Sequence, residues 1–343
     1  MGLRTRRASA RSRPRTVTER DLAVVCPFSE RWLLLHGYGL GGAGTLVRHD
    51  LRTGREVEIA PHVGQFAVSP DGTRVAYVAG LDYHGLGPKG HGTLELVDVN
   101  TLQHRQLAGP LARASSAGFA GLAWSGDGKR IAYTTGGGAR YPWQRSSYVV
   151  WVRDVITGKL MFKQTFVGGP PSLFPSPDGT RLVVCAESSG LEAGCNGASY
   201  PAMPGQLQLV DLRSRPARVL PIKPLPGPGQ ISGWTQLIWV GWSPSGDDFA
   251  YATVWTLSIE TPERRNVRRV LAPSGHWPNG PGEYAGQWLG WSPDGRYIGL
   301  RTSGPQIVTI DVRTERMHLI PVPSDTRPRP PNLPAVLSSS SWR

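Results

Sequence analysis

One short pattern recurs along the chain: an apolar run, Ser-Pro-Asp-Gly or a close variant, and a second apolar run. It reads FAVSPDGTRVAYVAG from Phe66, LAWSGDGKRIAYTTG from Leu122, LFPSPDGTRLVVCAE from Leu173, VGWSPSGDDFAYATV from Val240 and LGWSPDGRYIGLRTS from Leu289. A sixth copy, AVVCPFSERWLLLHG from Ala23, keeps the register with Cys26-Pro27-Phe28-Ser29 at the turn. The anchor residues Cys26, Ser69, Ser125, Ser176, Ser243 and Ser292 lie 43, 56, 51, 67 and 49 residues apart. Periods of that size mark a stacked array of one supersecondary unit, so the length of 343 residues does not require two unlike domains. Pro fixes φ, Asp bonds its own backbone and Gly accepts positive φ, so each copy is read as a tight hairpin turn between two antiparallel strands.

A second motif follows in each period: LVRHDLRTGREVEI from Leu46, LELVDVNTLQHRQL from Leu94, VVWVRDVITGKLMF from Val149, LQLVDLRSRPARVL from Leu207 and IVTIDVRTERMHLI from Ile307. Alternating apolar positions lead to Asp50, Asp98, Asp154, Asp211 or Asp311, then a polar turn and another short strand. Two hairpins per period make a four-stranded unit. The fifth period departs, reading VWTLSIETPERRNVRRVL, with Glu260-Thr261 where the Asp is expected.

These paired signatures resemble the TolB-like propeller repeat, a relative of the WD-repeat class, over about Leu22 to Val322. The resemblance implies an all-β fold, a six-bladed β-propeller of four-stranded antiparallel blades. Departures fall on blade number rather than blade type: the first copy lacks Asp-Gly, the fourth has Pro175 where Trp124, Trp242 and Trp291 stand, and the fifth has Ser245 for Asp. The three tryptophans, one residue before their turns, are expected to pack between neighbouring blades. The turn residues Asp71, Asp127, Asp178 and Asp294, with the strand-end aspartates, are expected to be structural.

Composition agrees with an all-β chain: 43 Gly and 31 Pro supply turns, 12 Trp and 10 Tyr supply buried area, and no helix-length amphipathic run is present. The formal charge of +13 is uneven: residues 1–20 hold net +6 and residues 324–343 net +2, leaving +5 for the folded part. That mild balance, with no basic face interleaved with aromatics, argues against nucleic acid as partner. Residues 1–20 are expected to be a basic disordered tail with at most a weak anionic contact, residues 21–323 the propeller and residues 324–343 a Pro/Ser-rich disordered tail. After the arginines, LAVVCPF is too short for a secretory or membrane segment, so a cytoplasmic monomer is expected. A missed N-terminal signal that exports or anchors the chain is the alternative. Cys185 and Cys195 flank a loop that a local disulfide would close in an oxidising compartment; free thiols are the other reading.

Tight turns occupy one end of the expected blades, and every long segment falls at the other: GLDYHGLGPKGHG after Ala79, GGGARYPWQRSS after Thr135, ESSGLEAGCNGASYPAMPG after Ala186, and the connections from Pro221 and Ala272. Loops on a rigid scaffold are where binding residues concentrate. These carry the candidate ligand-binding residues Tyr83, His84, Tyr141, Trp143, Tyr200, Trp234, His276, Trp277 and Tyr284, with Lys89, Arg140, Arg145, Glu187 and Glu283 as polar companions. The same aromatics could instead pack the loops down on the scaffold. No catalytic residue is assigned: there is no G-x-S-x-G elbow and no second α/β half. No metal or cofactor is expected, since His84 and His91 share a glycine-rich loop without ligand spacing and no phosphate-binding loop precedes a helix. The sequence therefore points to a non-enzymatic scaffold for a protein, peptide or glycan. A channel-mouth enzyme of the lactonase or sugar-dehydrogenase type, its carboxylates converging from separate blades, is the alternative.

Overall fold

The structure, a computed structural model, describes residues 22–27, 32–37, 44–63, 65–79, 92–111, 121–136, 147–167, 171–186, 206–222, 237–253, 257–262, 266–271, 288–301 and 306–321. Among them all regular structure is β, arranged as six four-stranded antiparallel sheets. The first sheet is β1 (Leu22–Pro27), β2 (Trp32–Gly37), β3 (Gly44–Asp50) and β4 (Glu56–Val63). The second is β5 (Phe66–Val68), β6 (Arg74–Ala79), β7 (Gly92–Asp98) and β8 (His104–Leu111); the third is β9 (Leu122–Trp124), β10 (Arg130–Gly136), β11 (Ser147–Asp154) and β12 (Leu160–Val167). The fourth is β13 (Ser172–Pro175), β14 (Arg181–Ala186), β15 (Gln206–Asp211) and β16 (Arg218–Ile222). The fifth is β17 (Leu237–Trp242), β18 (Phe249–Thr253), β19 (Leu257–Thr261) and β20 (Asn266–Leu271), and the sixth is β21 (Trp288–Trp291), β22 (Tyr297–Arg301), β23 (Gln306–Asp311) and β24 (Met317–Pro321). Strand order follows the chain within every sheet, so among the described residues no strand is exchanged between them.

The sheets stack through their first strands: β5 lies beside β9, β9 beside β13, β13 beside β17, and β17 beside β21, while β4 packs on β6. Second strands are consequently buried on both faces, and β10 shows five buried residues in succession, from Ile131 to Thr135. The core is a series of seams. Leu34, Leu46 and Val63 of the first sheet meet Val75, Tyr77 and Val97 of the second. Ala76, Val78 and Leu96 then meet Trp124, Ile131 and Tyr133 of the third. Val150, Val152 and Phe162 meet Leu182, Val184 and Val210 of the fourth, whose Val183, Leu207 and Leu209 meet Phe249 and Tyr251 of the fifth. Each fully buried side chain of this size contributes roughly 1.5–3 kcal/mol relative to exposure.

Polar latches cross the same seams. The expected packing of the tryptophans between neighbouring sheets is observed, and each indole also donates to the sheet before it. Trp124 Nε1 bonds Ala67 O at 2.9 Å, Trp242 Nε1 bonds Phe174 O at 2.7 Å and Trp291 Nε1 bonds Gly241 O at 3.1 Å. Arginines reach the other way: Arg181 donates to Gly246 O at 3.0 Å, Arg130 to Gly179 O, and Arg105 to Ile156 O at 2.7 Å. Replacing Trp124 with Phe keeps an aromatic ring but removes the indole donor to the Ala67 carbonyl. The expected cost is about 1–2 kcal/mol, read as a lower urea midpoint with an unchanged denaturant slope; an unmoved midpoint would show that the latch contributes nothing.

Candidate functional site

The hairpin turns come out as the sequence implies. Ser69 Oγ donates to Asp71 Oδ1 at 2.5 Å and accepts the Arg74 N–H at 2.9 Å, and Ser125–Asp127, Ser176–Asp178 and Ser292–Asp294 repeat the arrangement. Asp98 accepts the N–H groups of Asn100 and Thr101 at 2.9 and 2.8 Å, and Asp154 accepts that of Thr157 at 2.7 Å. The Thr101 and Thr157 N–H groups, helped by the threonine hydroxyls, hold these two carboxyls below their ordinary range. These aspartates close turns, with their lone pairs engaged locally.

Turns of successive sheets also touch. A Cβ on Gly126 would stand 2.6 Å from Pro177 Cα, and one on Gly179 would stand 2.9 Å from Asp127 Oδ1. Both turns therefore need glycine, Gly179 doubly so because its φ is +66°. The tight turns thus form one packed end of the stack. Antiparallel pairing sends the other connections to the opposite end. The last pairs before them are Ala79–Thr93 in the second sheet, Gly136–Tyr148 in the third and Ala186–Gln206 in the fourth. The links from Ile222 to Leu237 and from Leu271 to Trp288 leave from that same end.

All nine candidate residues sit on these connections. Tyr83, His84, Tyr141, Trp143, Tyr200, Trp234, His276, Trp277 and Tyr284, their polar companions Lys89, Arg140, Arg145, Glu187 and Glu283, and His91 lie outside the described residues, as do both expected tails. The described strands fix the end of the stack from which each loop departs. Among the described residues no group of three or more His, Cys, Asp or Glu is placed to hold a metal ion.

Two polar features of the fourth and fifth sheets stand apart from the repeat. Cys185 is buried at their seam and is disulfide-bonded, its partner outside the described side chains. Glu260 pairs with Phe249 across β18 and β19, so it shares the face that Phe249 turns toward the fourth sheet. The equivalent positions in the second, fourth and sixth sheets are Val97, Val210 and Ile310, all fully buried, whereas the third sheet has Arg153 and the first His49 there. Glu260 Oε2 is buried without a hydrogen-bond partner, and so is the neighbouring Ser258 Oγ. Burial alone pushes the Glu260 carboxyl up to about 7. The sequence showed the fifth period to be irregular here; that Glu260 occupies an apolar seam position follows only from strand register.

No family model matches the chain, and no curated protein matches it. Solved structures do. Oligogalacturonate lyase from Vibrio parahaemolyticus aligns with a TM-score of 0.52 at 16% identity, over 86% of this chain and 75% of that one. An oligogalacturonate lyase in complex with manganese aligns with a TM-score of 0.51 at 14% identity, over 84% and 73%. TolB from Acinetobacter baumannii aligns at 0.41 with 17% identity, over 87% and 67%. Identities this low show the fold alone: four-stranded antiparallel sheets in a propeller-type arrangement.

Two outcomes are expected. Because the folded state holds the Glu260 proton that the unfolded chain releases near its ordinary value of 4.5, its stabilising contribution is full below that pH and is lost as pH rises through about 7. Glu260→Gln should therefore raise the melting temperature at pH 8 and give little advantage at pH 5; an equal gain at both values would contradict the burial argument. Thiol titration of denatured, unreduced protein made under oxidising conditions should find one free thiol from the 3 cysteines. Finding three would show that the Cys185 disulfide does not form.

Proposed function

We propose that the six sheets close into a TolB-like six-bladed β-propeller, spanning residues 21–323, and that it serves as a non-enzymatic scaffold binding a protein, peptide or glycan through its long-loop face. One observation carries this reading: the tight turns are packed and hydrogen-bonded together at one end of the stack, while every long connection leaves from the other. The turn end offers carboxylates already engaged by their own backbones. The loop end concentrates Trp143, Trp234, Trp277 and the accompanying tyrosines and histidines in sequence segments free of repeat constraints. Aromatic anchors on a rigid frame are the usual centres of binding energy. The Cys185 disulfide favours an oxidising compartment over the cytoplasm.

The test uses the full chain against a glycan array and a displayed peptide library, followed by Trp143→Ala, Tyr200→Ala and Trp277→Ala variants against any ligand selected. Truncating a central aromatic should weaken binding by about tenfold or more, whereas Asp127→Asn on the turn end should leave affinity unchanged. Equal binding by all the variants would refute the loop-face reading. Turnover of a lactone or oxidation of a sugar by the intact chain would replace it with the enzymatic alternative.

A further inference from the structure

An outermost strand presents unpaired backbone N–H and C=O groups and templates another strand unless something blunts it. Most of the outer strands here are blunted. Pro61 interrupts β4, Pro110 interrupts β8, Pro221 interrupts β16 and Pro321 closes β24, while β20 sets Arg268 beside Arg269. The outer strand of the third sheet has neither device. Its eight residues, LMFKQTFV, contain no proline and a single charge. From Phe162 to Val167 they pair without interruption with Val152 to Ser147 of β11, the irregularity being confined to Met161.

Apolar side chains are exposed at both ends of this edge: Val167 is 56% exposed, Leu160 40% and Met161 37%, with Ile156 at 71% on the adjoining turn. Surface burial of that kind is available to a partner strand. The lone gatekeeping charge is drawn away from the edge, since Lys163 Nζ lies 4.5 Å from the centre of the Trp151 ring on the neighbouring strand of its own sheet.

We propose that β12 forms the interface of a homodimer, pairing antiparallel with β12 of a second copy about a dyad at Gln164. The choice of occupant rests on self-complementarity. Opposed residues in an antiparallel pair lie on the same face, so a dyad at Gln164 sets Phe162 against Phe166 on one face. On the other face it sets Met161 toward Val167 and Lys163 against Thr165. A dyad at Lys163 would oppose two like charges, and one at Thr165 would set Lys163 against Val167 and Phe166 against Gln164. Of these three central registers, the Gln164 one pairs apolar with apolar on both faces, and its central amides can donate to and accept from each other.

Such an isologous contact closes at two copies and joins two third sheets into one of eight strands. Antiparallel pairing points the loop ends of the two copies in opposite directions. Both proposed binding faces therefore stay open, and the dimer is bivalent. The proposal differs from the monomer expected from the sequence and does not depend on what the loops bind.

Sedimentation of the full chain should show a reversible dimer. The double variant Met161→Lys, Val167→Lys brings like charges together across the proposed pair and should sediment as a monomer with unchanged circular dichroism. Gln164→Cys should yield a covalent dimer under oxidised glutathione, since opposed Cα atoms about 4.5–5.5 Å apart suit a disulfide; Ile156→Cys should not. A chain that stays monomeric at every concentration overturns the proposal, as does a dimer that survives the double lysine variant or an open-ended polymer. Should the double variant fail to fold, the contrast between the Gln164→Cys and Ile156→Cys chains decides the register by itself.

Discussion

The stack stands or falls on the seam between one sheet and the next. Among the described residues no single hydrophobic centre draws on all the sheets; the second, third and fourth sheets each bury one face against the sheet before and the other against the sheet after. Stability in such an array is close to a sum of sheet and nearest-neighbour terms. Apolar contact supplies most of each term, but it is non-directional and would allow adjacent sheets to slide. The Trp124, Trp242 and Trp291 indoles and the Arg130 and Arg181 guanidiniums fix the offset, because each must reach one carbonyl of a neighbouring sheet. Those bonds set where the turns meet, and hence which ends of the sheets carry loops.

The fifth sheet shows what happens when the pattern is edited. Asp248 stands where Arg74, Arg130 and Arg181 stand in earlier sheets, and it accepts a 2.6 Å hydrogen bond from Thr261 rather than donating forward. In the next cross-strand pair, Phe249–Glu260, the glutamate stands where the second, fourth and sixth sheets have an aliphatic residue and brings a carboxyl oxygen without a partner. The flaw is offset locally by Phe249 and Tyr251, which are completely buried against the fourth sheet. The seam that tolerates the buried acid is also the one holding the Cys185 disulfide.

Much of this was legible from residue order because its causes are local. Ser-Pro-Asp-Gly encodes its turn within four residues, so strand positions such as Phe66–Val68 and Tyr297–Leu300 could be placed, as could the structural role of Asp71 and Asp98. The tryptophans were legible as seam residues through their fixed offset from the turn, although their carbonyl partners, Ala67 for Trp124, lie fifty or more residues away. The arginine latches were not legible, since Arg130 and Arg181 look like ordinary turn-flanking charges until the next sheet is set beside them. Glu260 escaped for a related reason: burial on both faces erases the alternation that would mark an inward position. The exposed edge at β12 is likewise a property of strand order, which no stretch of sequence states. The nine loop residues were found by exclusion, as the aromatics left over once the repeat was assigned, and the strand ends confirm only where their loops begin.

That division between repeat and remainder has a physical basis. At the turn end, Gly126 lies against Pro177 and Gly179 against Asp127, so a longer turn would collide with its neighbour and disturb two seams at once. Length variation is suppressed there. At the other end a loop is tethered at two strand termini, and the entropic cost of closing it grows only with the logarithm of its length. The segments between Ala186 and Gln206 or between Leu271 and Trp288 can therefore lengthen and change composition at little cost to the stack. A fold that holds one end invariant in this way leaves its freedom of length and composition at the other.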